Sequence, residues 1–178
     1  MTLSVSKSAL RAEIRRLVAG IDAQRRRTEA EAVAGLLSAD PHYAEARRVL
    51  VYWPLPDELD LTGWILRESE HKQFFLPVVE NGEMAAAPMT GRWREGAYHI
   101  QEPDSAGRLD PSLLDLVVVP GRAFDIQGRR LGRGKGYYDR FLPKTTAYKI
   151  GVCFDCQLVE SVPTDGFDLP VDKVYFCR

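Results

Sequence analysis

The chain has 178 residues, 45% of them hydrophobic, and its 24 Lys and Arg against 25 Asp and Glu give a formal net charge of −1. That length and apolar content supports one domain with a sizeable core, and the near-neutral balance argues against a protein whose whole surface binds nucleic acid while leaving room for a local basic patch. No stretch approaches the roughly 20 apolar residues that span a bilayer, and residues 1–12 lack the apolar centre of a secretory signal, so no membrane association and a cytoplasmic location are expected.

Residues 1–40 read as helical. Leu10, Ile14, Leu17 and Val18 fall at i, i+4, i+7 and i+8, one apolar stripe, with Ser6 placed to cap it. Arg11, Arg15 and Arg16 lie off that stripe, where a solvated basic face is usual. A second helix covers 23–38 and is broken by Asp40–Pro41. Alternation then begins: a strand over 49–53 stopped by Pro54 and Pro56, a helix over 61–70, a strand over 73–79, and a turn at Asn81–Gly82 into a short strand over 84–89. Residues 90–111 have little regular pattern and carry Trp93, Tyr98, His99 and Glu102; irregular segments of such length are often functional.

The run Leu114, Asp115, Leu116, Val117, Val118, Val119 ends at Pro120–Gly121 and offers almost no polar face. It is expected as a strand in the interior of a sheet. Further strands are expected over 148–154 and 173–177. Strands alternating with helices imply an α/β fold of three layers, a mostly parallel sheet with helices on both faces, in a single domain covering the whole chain.

Residues 128–142 read GRRLGRGKGYYDRFL. Gly128, Gly132, Gly134 and Gly136 stand among Arg129, Arg130, Arg133 and Lys135: glycine lets backbone amides approach a ligand, and the cations neutralise phosphate oxygens. Tyr137 and Tyr138 open a segment that reads as a helix with its N-terminus toward the same place. The Walker pattern fails, because five residues separate Gly128 from Gly134 and Lys135 is followed by Gly136 rather than a hydroxyl residue. The dinucleotide pattern G-x-G-x-x-G fails on spacing too. From residue types, phosphate binding, a mobile basic loop and an RNA-contacting loop with stacking tyrosines all remain open.

In open α/β sheets the ligand crevice lies beyond the carboxyl ends of the strands. That rule gathers Asp57, Glu58 and Asp60 after the first strand, the glycine loop after Val119, and Asp168 and Asp172 before the last strand. Acidic residues there are commonly solvated, yet Mg²⁺ paired with ATP needs only one or two carboxylates beside the phosphates; Asp139, four residues after Lys135, is suitably placed. Cys153 and Cys156 form a C-x-x-C, but Cys177 and the scattered His42, His71 and His99 show no ligand spacing, so the pair is read as structural rather than redox-active or zinc-binding.

The stretch PGRAFDIQGRRLGRGKGYYD at 120–139 resembles the signature of the 5-formyltetrahydrofolate cyclo-ligase family, also called 5,10-methenyltetrahydrofolate synthetases. The likeness extends through Lys7-x-x-Leu10-Arg11, Asp57–Glu58, Glu102–Pro103 and Asp168-x-x-Val171-Asp172. It implies ATP-dependent cyclisation of 5-formyltetrahydrofolate, with small molecules as the only partners, no nucleic acid, and a monomer or weak dimer. It further implies that Lys7 and Arg11 contact ATP, which overturns the bland reading of that basic helix. Arg130, Leu131, Gly132, Arg133, Gly134, Lys135, Gly136, Tyr137 and Tyr138 would form the ATP loop, with Arg133 and Lys135 catalytic. Trp53, Glu58 and Tyr137 would bind the folate, Glu58 by hydrogen bonds to the pterin, and Asp139 and Asp168 would hold Mg²⁺. Two departures stand out: Phe167 where many relatives have histidine, and a tail ending Tyr175-Phe-Cys-Arg178 rather than in an acidic residue. Another ATP-dependent small-molecule kinase or ligase is the alternative reading.

Overall fold

The computed structural model describes residues 6–96, 101–166 and 168–177; Tyr98, His99, Phe167 and Arg178 lie outside the described residues. Helix α1 spans Lys7–Ala19, and the Ser6 hydroxyl caps it by accepting from the Ala9 amide at 3.2 Å. Its buried face is Leu10, Ile14 and Val18, the stripe anticipated from spacing. Helix α2 (Ala23–Ser38) is capped by Asp22. Asp40–Pro41 ends it and also opens a short helix, α3 (Pro41–Glu45), because the Asp40 carboxylate caps the His42 and Tyr43 amides and proline suits the first turn.

Strand β1 (Arg48–Leu50) pairs in parallel with β2 (Gln73–Glu80), after helix α4 (Thr62–Glu68) crosses between them. β1 is shorter than the apolar run suggests: the Val51 amide still reaches the Phe75 carbonyl at 2.9 Å, but Pro54 and Pro56 have no amide with which to continue a ladder. β3 (Glu83–Pro88) returns antiparallel to β2 through a tight turn with Asn81 at φ 50 and Gly82 at φ 79. The irregular segment contains a small hairpin of β4 (Trp93–Glu95) and β5 (Gln101–Pro103). β6 (Leu116–Pro120) pairs in parallel with β1 on one side and with β9 (Tyr148–Val152) on the other. Between them lie the two-residue strands β7 (Ala123–Phe124) and β8 (Arg130–Leu131), then helix α5 (Tyr137–Phe141). β10 (Lys173–Tyr175) closes the edge, parallel to β9.

The main sheet therefore runs β10–β9–β6–β1–β2–β3, parallel except for β3. β6 is interior, as its four fully buried residues Leu116 to Val119 require. Leu116 and Val118 face a core shared with α1, α2 and α4; Val117 and Val119 face a second core with Phe124, Phe141 and Leu142. Helices thus cover both faces, but unequally. α5 is barely more than one turn, since Pro143 follows at once within a tighter 3₁₀ turn, Leu142–Lys144. Among the described residues, no helix is long and apolar enough to cross a membrane.

Candidate functional site

Successive strands are added on one side of β1 by β2 and on the other by β6, so strand order reverses between β1 and β6. At such a switch point the chain leaves the two neighbouring carboxyl ends in opposite directions and opens a crevice. Here it holds a cavity of about 400 Å³, a volume suited to a small molecule. The loop after β1 contributes Trp53, Leu55 and Glu58; β2 and β3 contribute Pro77, Val79 and Met84 as an apolar wall; the segment after β6 contributes Arg122, Arg130, Arg133, Lys135 and the two tyrosines. A wider groove of about 810 Å³ lies between α2 and α4 and shares Leu55 and Glu58 with the first. The smaller cavity is the candidate site, because cationic and carboxylate side chains converge there against a flat apolar wall.

The basic segment is built as a braced loop. Asp125, fully buried, accepts from the amides of Gln127, Arg129 and Val162 and from Arg129 Nε at 2.6 Å. Gly128, at φ 79, packs against the C-terminal segment: its carbonyl accepts from the Val171 amide at 2.8 Å, and a Cβ would fall 2.1 Å from the Val171 carbonyl oxygen. So Gly128 serves chain packing rather than the phosphate approach its sequence context suggests. Gly136, at φ 69, is the cap of α5 in a left-handed conformation that turns the chain from the loop into the helix.

Two ion-pair groups contribute side chains to the cavity lining, and another lies outside that lining. The first joins Arg130 Nη2 to Asp139 at 2.6 Å, with the Arg130 guanidinium 5.3 Å from the centre of the Tyr138 ring. Arg130 Nε and the Tyr138 hydroxyl are buried and have no hydrogen-bond partner among the described residues. The second joins Lys7 to Asp168 at 2.6 Å and to Asp165 at 2.6 Å. Burial pushes the Asp168 carboxyl up, but the Lys7 ammonium and the Asp165 amide more than offset this and hold it below the usual range. The third is a chain of four groups. Arg122 Nη1 donates to Asp57, Arg133 donates to both oxygens of Asp57, and Arg133 Nε and Nη2 reach Glu58 Oε1 at 3.2 and 3.0 Å. The other Glu58 oxygen accepts from the Leu55 amide at 3.0 Å. Burial works against the Asp57 charge, yet the guanidinium groups of Arg133 and Arg122 hold its carboxyl below the ordinary range.

The residues singled out in the sequence fall into two sets. Trp53, Glu58, Arg130, Gly132, Arg133, Lys135, Gly136, Tyr137, Tyr138 and Asp139 line the cavity. Lys7, Arg11, Gly134 and Asp168 sit behind its rim: Arg11 Nε donates to the Gly132 carbonyl at 2.8 Å, and its guanidinium is the nearest neighbour of Gly134. Leu131 differs, for its side chain is 1% exposed in the core and only its backbone serves the loop, accepting from the Arg122 amide at 2.7 Å. Trp53 packs against Trp93 of β4 with ring centres 4.4 Å apart, which brings the irregular segment over the cavity. Arg122 was not singled out; a lone arginine between two glycine-flanked apolar stretches carries no spacing signal.

The loop's arginines do not form an open cationic surface. Arg129, Arg130, Arg133 and Arg140 each have a carboxylate partner, Asp125, Asp139, Asp57 with Glu58, and Glu83. That weighs against the RNA-contacting reading, which needs unpaired charge along a groove. Cys153 is buried and its thiol is pushed well up by that burial, as is the Cys156 thiol to a lesser degree. Among the described residues no three His, Cys, Asp or Glu side chains group as a dedicated metal cage.

The fold is α/β, and the crevice at its topological switch point is lined by cationic, carboxylate and apolar side chains together. The sequence model of the 5-formyltetrahydrofolate cyclo-ligase family matches residues 3–176, and the chain belongs to that family. It is 26% identical to mouse 5-formyltetrahydrofolate cyclo-ligase over 99% of this chain and 96% of that protein. It is 30% identical to the 5-formyltetrahydrofolate cyclo-ligase of Mycolicibacterium smegmatis over 95% and 92% of the two chains. The NMR structure of Aquifex aeolicus 5,10-methenyltetrahydrofolate synthetase superposes with a TM-score of 0.87 at 35% identity, covering 94% of this chain and 88% of that one.

Proposed function

We propose that this chain converts 5-formyltetrahydrofolate and ATP to 5,10-methenyltetrahydrofolate, ADP and phosphate. What supports the reading is family membership together with one observation: Glu58 and the glycine-rich loop, far apart in sequence, face the same cavity. A formamide oxygen is a poor leaving group. In the proposed course the formyl oxygen takes the γ-phosphoryl of ATP, forming an O–P bond as the bond to the β-phosphate oxygen breaks. N10 then attacks the formyl carbon, loses its proton, and its lone pair expels phosphate.

The protein's part is alignment and neutralisation. Lys135 lines the cavity from the loop and is suited to the charge on the moving phosphoryl. The orphaned Arg130 Nε and Tyr138 hydroxyl are donors that a phosphoryl or formyl oxygen would satisfy. Glu58 is suited to accept from the ring N–H and amino group of a pterin, with Trp53 and Tyr137 as flat apolar neighbours. Lys7 and Arg11, outside the cavity lining, are the remaining cations for the nucleotide.

The acidic groups fit a cation that arrives on phosphate better than one held by the protein alone. Asp139 pairs with Arg130 and Asp168 with Lys7, so each carboxylate already has a cationic partner. One or two carboxylates suffice for Mg²⁺ bound with ATP, and the ion would draw charge from the phosphate oxygens there. The test is direct: purified protein is mixed with 5-formyltetrahydrofolate and Mg-ATP while the absorbance of the methenyl product is followed. Appearance of product with all three components, and its loss on chelation of the metal, is expected; absence of product with folded protein overturns the reading.

A further inference from the structure

Arg133 is saturated before any ligand arrives. Its Nε and both Nη atoms are directed at carboxylates, two oxygens on Asp57 and one on Glu58. Arg122 completes the cluster from the opposite side, giving two cations for two anions. Its exposure is only 8%, and its backbone is pinned at both ends: the amide donates to the Leu131 carbonyl at 2.7 Å and the carbonyl accepts from Gln157 Nε2 at 3.0 Å. Gln157 also donates to the Gly121 carbonyl at 3.1 Å. Arg122 is therefore the fixed member. Asp57, on the loop after β1, is the bridge, because its two oxygens take one guanidinium from the rigid end of β6 and one from the glycine loop.

We propose that Arg122 and Asp57 are positioning residues, a brace that sets Arg133 against Glu58 and so holds the folate-binding carboxylate in register with the phosphate loop. The proposal rests on the assignment of 5-formyltetrahydrofolate as substrate. The physical reason is geometric. Glu58 lies on a loop of about ten residues between β1 and α4 with prolines but no regular structure. Of its two oxygens, one is fixed locally by the Leu55 amide and the other only through Arg133. Arg133 in turn owes its orientation to the fork-to-fork contact with Asp57, a paired geometry that fixes the plane of a guanidinium as a single hydrogen bond does not. Remove the brace, and the Glu58 carboxylate keeps its charge but loses its direction.

A misplaced binding carboxylate raises KM for the molecule it binds, and a reacting group displaced by about 1 Å loses about 10²-fold in rate. Lys7 and Arg11, the cations proposed for the nucleotide from α1, make their contacts elsewhere, to Asp165 and Asp168 and to the Gly132 carbonyl. The expected signature is thus a split between the two substrates. Arg122→Leu removes the guanidinium and keeps apolar bulk; it should raise KM for 5-formyltetrahydrofolate at least about tenfold and lower kcat, while KM for Mg-ATP stays within about twofold. Arg122→Lys restores a cation and should recover part of the loss, though not all, because an ammonium cannot fork.

Wild-type turnover is measured first. Absence of methenyl product from the folded wild-type protein defeats the substrate assignment itself and leaves nothing for the brace to position. With wild-type turnover present, unchanged constants in Arg122→Leu, or equal loss for both substrates, overturn the brace. A lowered melting temperature with unchanged constants overturns it as well, because that is what a purely structural arginine would give. Should Arg122→Leu fail to fold, Asp57→Asn carries the same test on an exposed loop: the folate KM must rise selectively, and an unchanged value overturns the proposal.

Discussion

Arg130 and Asp139 meet at 2.6 Å across the turn from β8 to α5, and the guanidinium still keeps one buried nitrogen without a partner among the described residues. The pair is a charged group half satisfied by the protein. A buried donor left open costs roughly 1–3 kcal/mol, and that cost disappears when an acceptor enters the cavity. The neighbouring Tyr138 hydroxyl is in the same condition, its proton held more tightly by burial and by the Glu58 charge.

Lys135→Ala tests the charge at that place. The side chain lines the cavity from an exposed loop, so the variant should fold normally. Loss of one contact made chiefly as charge develops is expected to lower kcat by about 10²–10³-fold. Steady-state kinetics with a thermal unfolding control checks it; near-normal turnover would make the lysine mere surface charge.

Glu58→Gln tests the other half of the site. The substitution keeps size but turns one acceptor into a donor that opposes the donors of a pterin. Affinity for 5-formyltetrahydrofolate should fall about 10–100-fold, in line with a lost hydrogen bond to a charged group, while Mg-ATP binding stays nearly intact. Calorimetric titration of each ligand separately decides the matter, and loss of nucleotide with folate retained would reverse the two halves.

Asp40 governs acid stability at the opposite end of the sheet. Burial pushes its carboxyl up, but the Tyr175 hydroxyl at 2.7 Å, the Lys173 ammonium at 3.2 Å and the Tyr43 and His42 amides outweigh it, lowering the value from 3.8 to about 2. A depressed carboxyl contributes stability that is fully present above its unfolded value and is lost as pH falls toward the folded one. About 2 kcal/mol should therefore disappear between about pH 4 and pH 2. Urea unfolding across that range should show a flatter slope for Asp40→Asn; an unchanged slope would assign the acid loss elsewhere.

Gly128→Ala should be among the most damaging single-methyl additions in the chain. A side chain at φ 79 is strained, and its Cβ would stand 2.1 Å from the Val171 carbonyl oxygen. Destabilisation of at least about 2 kcal/mol is expected from the backbone conformation and the forced displacement together. The denaturant midpoint measures it, and a shift equivalent to less than half of that would mean that the 168–172 segment yields freely.

The elements were largely legible because burial leaves a pattern. Leu116 to Val119 announce a strand covered on both faces, and the α1 stripe and its Ser6 cap lie where spacing puts them. Glu58 and Lys135 were legible through the rule that loops after parallel strands meet, whereas Trp53 was reached only through the family resemblance. Less visible was what holds them. Asp57 and Arg122 lie 65 residues apart, and the pairing of two side chains by tertiary folding leaves no period in the sequence. Gly128 was misread for a related reason: a positive φ needed for close packing and one needed for a phosphate look alike in one sequence. Leu131, expected in the ATP loop, instead packs its side chain in the core because it belongs to the two-residue strand β8.

The sheet order also has a consequence for vectorial synthesis. β1 and β2 leave the ribosome early, but the neighbour that covers β1 on its other side is β6, and β9 and β10 come later still. Until residues beyond 116 emerge, the growing chain presents an open apolar strand edge, and α1 has no docking surface near Asp155–Gln157 or partner for Lys7 at Asp168. Early pairing among the strands is therefore restricted to β1, β2 and β3, and the crevice between β1 and β6 cannot form before β6 has emerged. A nascent chain stalled before β6 would be a natural client for chaperones that recognise exposed strand edges, and none of its fragments would be expected to turn over substrate.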